Sequence, residues 1–339
     1  MSHSTRLGAF KILKDIVWVS VTRPREERDS PAVFSRALAD GKINLPFITT
    51  INGPGTWRLN VAVDAQDVKA ACSLLEHDFG KIDPATKKGG ILSIFPHKDN
   101  PEIMGILLDI LGNLGAPPSV LANSHSAISV VLHEQAVNKA SNALFGPFRF
   151  SAYRTPDDWK LAQKGREDLY KEVVASYQEK RPKVYFLEWR QGQTLLKVLL
   201  DCSDMGRMGS VFMDFSRMRL PLTFMVSNPL DLQGKVELFF CLPTSFDRDY
   251  REIITKAVPG AVPGEVSPVA IFSMNGPHFG DRYGIACELL EALALVQVEP
   301  LALSCSIASI TGVVPADQIH SAIRGIRGCF EVPSVIQRT

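Results

Sequence analysis

Short apolar segments with the composition of β-strands recur four times along the chain, at residues 16–21, 91–95, 195–200 and 269–273. β-branched and aromatic residues support a strand at three of these segments, and the third segment is instead rich in leucine. A polar loop follows each segment, and apolar residues at spacings of three and four follow the loop. That spacing predicts an amphipathic helix packed on a sheet.

The four predicted helices span about residues 30–40, 101–114, 204–218 and 281–295. Two further strand-like runs and a second amphipathic stretch follow each helix, so the order strand–helix–strand–strand–helix occurs four times. The first strands begin near residues 17, 91, 195 and 269, which are 74, 104 and 74 residues apart. The two equal steps indicate two halves that each contain a pair of modules.

The spacing therefore predicts modules at residues 1–89, 90–154, 183–265 and 266–339, with a charged helical linker at 155–182. The expected fold class is α+β: four tandem ferredoxin-like βαββαβ modules with antiparallel sheets, arranged as two pairs. Each of the four first strands is expected to belong to a separate four-stranded sheet.

A module of this kind needs a strand after its second helix, but residues 80–90 and 258–267, where two of those strands would lie, contain proline. Spare apolar segments precede each half, at residues 7–12 and 184–189. We expect these two segments to cross between modules and complete the neighbouring sheet, because an open sheet edge favours aggregation.

Composition and charge exclude several classes of protein. Lys and Arg number 37 and Asp and Glu number 36, so the formal net charge is +1 and no basic field is available for nucleic acid. The apolar runs are too short to cross a bilayer, and residues 1–6 lead into no apolar signal core. The six cysteines include no C-x-x-C pair. We therefore expect a cytoplasmic protein with reduced thiols and no membrane or nucleic-acid partner.

The fourth predicted module carries the most distinctive motifs. Residues 273–276 (Ser-Met-Asn-Gly), 283–286 (Tyr-Gly-Ile-Ala) and 289–293 (Leu-Leu-Glu-Ala-Leu) resemble the aspartokinase type of ACT domain, in which a first strand leads through a loop into a helix. Similar elements recur in the second module at 101–104 and 123–129. The chain is thus similar to tandem ACT regulatory domains, module by module, over most of its length.

The resemblance implies an amino-acid-binding allosteric regulatory protein that needs no cofactor. No G-x-G-x-x-G or G-x-x-x-x-G-K-[ST] phosphate loop occurs in the chain. Residues 87–90 (Lys-Lys-Gly-Gly) are similar to a motif of aspartokinase catalytic domains, but they lie between two modules, where a turn is expected. We therefore expect that the chain is not an enzyme, that it binds an amino acid, and that it forms a homodimer or acts on a partner enzyme.

Three other functions fit the same sequence. One is an enzyme with a site at a module interface, for which the sequence shows no motif. A ligand-free protein-interaction scaffold would need only the modules themselves. A metal-responsive sensor would use His97, His125 and His133 of the second module, although no two of them have the spacing of ligands on a helix and no cysteine accompanies them.

Chemistry suggests where an amino acid would bind. Its carboxylate suits the free N–H groups of a helix N-terminus, and its ammonium group suits carbonyl or carboxylate oxygens. Loops before the first helix, together with nearby strand ends, offer such positions in two modules. The predicted ligand-binding residues are Asp99, Asn100, Ile103, Asn123 and Ser124 in the second module and Asn275, Phe279, Asp281, Arg282, Gly284, Ile285 and Ser304 in the fourth. For Asp99, Asn100 and Asp281, a plain helix-capping role is the alternative.

Overall fold

The computed structural model of the chain describes residues 5–25, 30–79, 87–96, 98–124, 126–163, 181–230, 234–246, 249–276, 279, 282–306 and 309–338. Nine α-helices lie within these ranges: α1 Pro31–Asp40, α2 Val68–Phe79, α3 Pro101–Asn113, α4 Glu134–Ala143, α5 Pro156–Gln163, α6 Met208–Arg217, α7 Tyr250–Ala257, α8 Ile285–Leu295 and α9 Ile319–Cys329. The strands there are β1 Thr5–Leu7, β2 Ala9–Pro24, β3 Phe47–Asn52, β4 Thr56–Asp64, β5 Lys87–Phe95, β6 Val120–Asn123, β7 Ile128–His133, β8 Phe148–Phe150, β9 Phe186–Asp201, β10 Met225–Pro229, β11 Lys235–Pro243, β12 Val262–Asn275, β13 Ala302–Cys305, β14 Ser309–Pro315 and β15 Val335–Arg338.

Helices begin where the sequence supplies caps. Ser30 immediately precedes Pro31, the first residue of α1, and its hydroxyl accepts a hydrogen bond from the backbone N–H of Val33 at 3.3 Å. Asn100 caps α3 in the same way and accepts from the N–H of Glu102 at 3.0 Å. The third predicted helix is divided into a 3₁₀ turn, Cys202–Arg207, followed by α6. The predicted order of strands and helices is therefore confirmed for all four repeats.

Thirteen of the strands form one sheet, in the order β11-β10-β6-β7-β5-β2-β4-β3-β13-β14-β12-β9-β15, and β11 also pairs with β9. The sheet thus closes on itself. The expectation of four separate sheets is wrong, because short edge strands of different repeats pair with each other. β6 pairs with β10, and β3 pairs with β13, both antiparallel. Pairing removes the open edges that isolated modules would expose.

Three apolar clusters show how the layers are stacked. One lies between the sheet and helices α3, α4, α6 and α7, and a second lies between the sheet and helices α1, α2, α8 and α9. The third joins residues on the opposite faces of strands from all four repeats, such as Trp18, Ala122, Phe224 and Ile271. The order of layers is therefore helices, sheet, sheet, helices, with a core between each pair of layers.

Two long strands connect the layers, as the spare segments 7–12 and 184–189 led us to expect. The first part of β2 pairs with residues 91–95 of β5, whereas its later part pairs with β4. The first part of β9 likewise pairs with residues 271–275 of β12, and its later part pairs with β11. Phe10 of β2 is buried among α3 and α4 residues rather than against the helices of its own repeat. The predicted strand crossing is confirmed.

Helix packing joins repeats that are distant in sequence. Helix α3 packs on α6 and on the 3₁₀ turn before it through facing glycines. A Cβ atom on Gly112 would lie 2.8 Å from Cα of Gly206 in the 3₁₀ turn, and one on Gly209 of α6 would lie 2.7 Å from the carbonyl oxygen of Gly105. The other such pair is α1 and α8, where the Arg36 side chain binds Glu291. Strand pairing therefore links repeats both within each half and across the halves of the chain, and these helix pairs also link repeats across the halves.

The expected linker helix at 155–182 corresponds in part to α5, whose Trp159 stacks on Phe10 with ring centroids 5.0 Å apart. The remainder of that segment, from 164 to 180, lies outside the described residues. In the part of the chain that the structure describes, no helix combines the length and the apolar character needed to cross a membrane.

Candidate functional site

A pocket lies between α1 and α8, where the first and fourth repeats meet. Its free space is small and is partly open to solvent. Helix α1 and the loop after it form one wall, and the loop before α8 and the first turn of α8 form the other. The lining residues are Ser35, Ala39, Ile43, Leu45, Phe279, Arg282, Gly284, Ile285, Ala286, Cys287 and Cys305. Four of the residues predicted from sequence are thus brought together: Phe279, Arg282, Gly284 and Ile285.

Arg282 is the charged residue of this lining. Its Nη2 donates a hydrogen bond to Oε1 of Glu288 at 2.9 Å, and its side chain is 18% exposed. Its Nη1 is buried and has no hydrogen-bond partner among the residues that the structure describes. Burial raises the pKa of Glu288, and the Arg282 guanidinium partly offsets that effect. The pocket therefore presents a partly desolvated cation with donor capacity left over.

The N-terminus of α8 adds further donors. The residue before the helix is Gly284, at φ +87°, a conformation that a residue with a Cβ rarely adopts. A glycine has no side chain to cap the helix, so no side-chain cap bond is formed there. Ser35 of α1 is buried, and its hydroxyl has no partner within the described part of the chain. Backbone N–H groups, a hydroxyl and a guanidinium thus surround one space.

An ion pair between α1 and α8 and two cysteines also belong to this region. Nε of Arg36 on α1 donates to Oε1 of Glu291 on α8 at 2.7 Å, which ties the two helices together. Burial, with a smaller effect of Glu291, raises the pKa of Cys287 to about 12. Burial alone raises the pKa of Cys305 to about 12. Both thiols are therefore protonated at neutral pH and act as small apolar walls.

Three of the residues predicted in the second repeat make contacts within the fold. The Asn100 side chain caps α3 and also accepts from the Ser216 hydroxyl at 3.4 Å. Ile103 is buried in the apolar core. The amide of Asn123 donates to the carbonyl oxygen of Leu222 at 3.1 Å. The glycine packing of α3 on α6 leaves the two helices in direct backbone contact at the corresponding place.

Other predicted residues form a polar cluster between the layers. Ser126 donates to Oδ1 of Asn275 at 3.0 Å, and Ser309 donates to Ser124. Ser304 is buried in β13. Asp281 lies outside the described residues, and Asp99 lines a different cavity, between α3 and β9. The predicted set is thus divided among the α1–α8 pocket, the polar cluster and other positions.

Sequence reasoning missed the contribution of the first repeat, namely Ser35, Ala39, Ile43 and Leu45. These residues meet Arg282 because β3 pairs with β13, a contact between residues about 250 positions apart in the chain. The resemblance of 43–45 (Ile-Asn-Leu) to ACT elements was a signal that pointed to this place.

Of the three histidines considered for metal binding, only His133 lies within the described residues. Among the described residues, no group of three or more His, Cys, Asp or Glu side chains is placed to hold a metal ion. His97 and His125 lie outside the described residues, and His133 is exposed at the end of β7.

Comparisons with known structures identify the fold. The crystal structure of aspartate kinase from Synechocystis covers 98% of this chain, with a TM-score of 0.77 and 14% sequence identity. The regulatory subunit of aspartate kinase from Thermus flavus covers 44% of this chain, with a TM-score of 0.39 and 14% identity. The chain spans 57% of the length of the Synechocystis kinase. No family model matches the sequence, and the search of curated proteins finds no match either.

The Synechocystis structure shares the fold of this chain. It also corrects one expectation, that the chain is not an enzyme. That expectation is wrong, because the protein that matches 98% of the chain is a kinase, which is an enzyme. The absence of two glycine-rich motifs does not exclude an enzyme, since those motifs belong to two particular phosphate-binding folds.

Proposed function

We propose that this chain binds an amino acid in the α1–α8 pocket and that the bound amino acid regulates an aspartate-kinase-like activity. One observation carries the proposal: the buried, unpartnered Nη1 of Arg282 faces a pocket that also contains the uncapped start of α8. Both features favour a carboxylate. The shared fold with an aspartate kinase over 98% of the chain supports a link to kinase activity.

The remaining groups suit the rest of an amino acid. The Glu288 carboxylate, next to Arg282, offers an oxygen to an ammonium group. Ile43, Leu45, Phe279 and the two protonated thiols surround a small side chain with apolar surface.

Regulation would follow from the position of the pocket. We propose the module boundaries 1–89, 90–154, 183–265 and 266–339, so that one wall belongs to the first module and the other to the fourth. A ligand that touches both walls stabilises one arrangement of the two modules. A kinase active site, in the same assembly of chains, would respond to that arrangement, and a homodimer or a partner chain would transmit it.

A thermal-shift screen against the standard amino acids tests the proposal. At a ligand concentration one hundred times Kd, binding adds about 2.7 kcal/mol of stability, which raises the Tm of a chain of this size by about 4 °C. Arg282→Leu should abolish the increase. Glu288→Gln breaks the same ion pair but keeps the guanidinium and an amide oxygen that can accept from the ammonium group, so it should reduce the increase less than Arg282→Leu does.

Two results would contradict the proposal. One is a screen in which no amino acid raises the Tm of the unmodified chain. The other is a screen in which Arg282→Leu reduces the stabilisation by none of the amino acids, which would place their binding elsewhere.

A further inference from the structure

A second cavity lies on the other side of the molecule, where β15, β9 and β12 run side by side. It is small and widely open to solvent, and it is lined by Asp99, Glu188, Trp189, Arg190, Thr223, Ile271, Ser273 and Arg338. None of these residues lines the α1–α8 pocket. The cavity is therefore separate from the proposed regulatory site, and four of its lining residues carry charge.

The strand register shows which side chains form the floor. Arg338 of β15 is opposite Arg190 of β9, and Arg190 is opposite Ile271 of β12. Glu188, two residues before Arg190, is opposite Ser273. Because side chains alternate along a strand, all five project from the same face of the sheet. The floor thus places two guanidinium groups, a carboxylate and a hydroxyl side by side.

The charges on the floor are not all paired with one another. Nε of Arg338 donates to Oε1 of Glu188 at 3.0 Å, so these two residues form an ion pair. Arg190 is half-buried, and its side chain makes no ion pair or hydrogen bond with any residue in the described ranges. A half-buried guanidinium with all its donors available favours an anionic group on a ligand.

The opposite wall comes from the other layer. Asp99, in the loop before α3, and Thr223, in the segment before β10, face the floor across the cavity. The backbone N–H of Leu222 donates to the carbonyl oxygen of Asp99 at 2.8 Å, which holds the two segments together. The cavity therefore places the carboxylates of Asp99 and Glu188 close to the anion-favouring Arg190, so that opposite charges lie within the span of one small molecule.

The first half of the chain offers an internal comparison. There β2 pairs with β5 in the same register, so that Ser93 is opposite Lys11 and Ile91 is opposite Leu13. Ser93 bonds to Ser129 at 2.8 Å, as Ser273 bonds to Thr311 at 3.1 Å, which confirms that the positions correspond. Leu13 in the first half is thus at the position that Arg190 occupies in the second half. The fold does not require an arginine there.

We propose that this cavity is a second binding site for a small zwitterion, an α-amino acid, whose carboxylate binds Arg190 and whose ammonium group lies towards Asp99 and Glu188. Thr223 and Ser273 supply hydroxyl groups to either end. The ligand would contact the β15–β9–β12 floor and the loop before α3 at the same time. Its binding would stabilise the contact between the two layers, independently of the α1–α8 pocket.

The test compares three chains in a thermal-shift screen: the unmodified chain, Arg190→Leu and Arg282→Leu. Leucine is the residue at the corresponding position in the first half, so Arg190→Leu should fold, and Arg190→Gln provides a second variant. The probes are the standard amino acids, with propionate, which lacks the ammonium group, and propylamine, which lacks the carboxylate.

We expect at least one amino acid to stabilise both the unmodified chain and Arg282→Leu, and to bind Arg190→Leu about tenfold or more weakly, as loss of a charge-assisted bond requires. Propionate and propylamine should not stabilise the chain. The proposal is overturned if no amino acid depends on Arg190, or if propionate stabilises the chain as well as the amino acid does. Because Arg282→Leu removes only the first site, failure of one site is distinguishable from failure of the other.

Discussion

The crossing of β2 between layers makes a quantitative prediction about Phe10. This ring belongs to the first repeat in sequence, yet it is 1% exposed and packs against the helices of the second repeat. Its neighbours are Phe150 at 4.9 Å, Trp159 at 5.0 Å and Phe145 at 5.7 Å between ring centroids. Truncation of such a ring leaves a cavity that its surroundings fill only in part.

Phe10→Ala should therefore lower the free energy of unfolding by about 3–5 kcal/mol. That is a large part of the total stability of a domain, which is about 5–15 kcal/mol. Deletion of residues 1–13 removes Leu7 and Ile12 from the same core as well, and it should prevent that layer from folding stably. Lys14→Ala, at an exposed position of the same strand, should change stability by less than about 0.5 kcal/mol.

Urea unfolding measures the size of the effect, and amide hydrogen exchange locates it. Phe10→Ala should lower protection first in β5, α3 and α4. Phe34→Ala is a matched control, because Phe34 is fully buried in the other helix-facing core, and it should lower protection in β3 and β4 instead. Loss of less than about 1 kcal/mol in Phe10→Ala, or equal deprotection of both layers in the two variants, would refute the reasoning.

Three further predictions follow from particular contacts. Gly112→Ala should destabilise the chain by about 1–3 kcal/mol, because the new Cβ would lie 2.8 Å from Cα of Gly206. Gly328→Ala is the control: its Cβ would enter open space, so this variant should be neutral or stabilising. Thermal unfolding measures both changes. Arg58→Met should lower the free energy of unfolding by about 3 kcal/mol, since it leaves the buried Glu237 with one exposed lysine as its partner. The double variant Arg58→Met/Glu237→Met should recover most of that loss, as measured by urea unfolding. The pKa of Cys287 is raised to about 12, so this thiol should be alkylated at pH 8 about a thousandfold more slowly than a free thiol. The alkylation rate should rise about tenfold per pH unit, because only the thiolate reacts. An alkylation rate that does not depend on pH would contradict this prediction.

Local features of the structure could be predicted from sequence because their causes are local. Apolar spacing identified the helices, and Ser30-Pro31 and Asn100-Pro101 marked two helix starts. The crossing strands were predictable for a similar reason: each half has a spare strand before its first repeat and proline where a closing strand would be needed. In both cases the residues that decide the structure lie within or next to the element.

The pairing of repeats across the two halves could not be predicted, because it depends on distant edges. Nothing near Thr49 in β3 indicates that Ser304 in β13 lies opposite it. The α1 wall of the pocket was missed for that reason. Asn100 shows a second limit: a residue that suits both a helix cap and a ligand is assigned only when its partners are known, and here the cap occupies it.

Isothermal titration calorimetry tests the central claim most directly, with the amino acid that gives the largest thermal shift as titrant. Binding to the unmodified chain and to Glu288→Gln should be saturable, and Arg282→Leu should bind at least about tenfold more weakly, which corresponds to about 1.4 kcal/mol. Equal affinity for the unmodified chain and Arg282→Leu would contradict the claim that the pocket between α1 and α8 holds the amino acid.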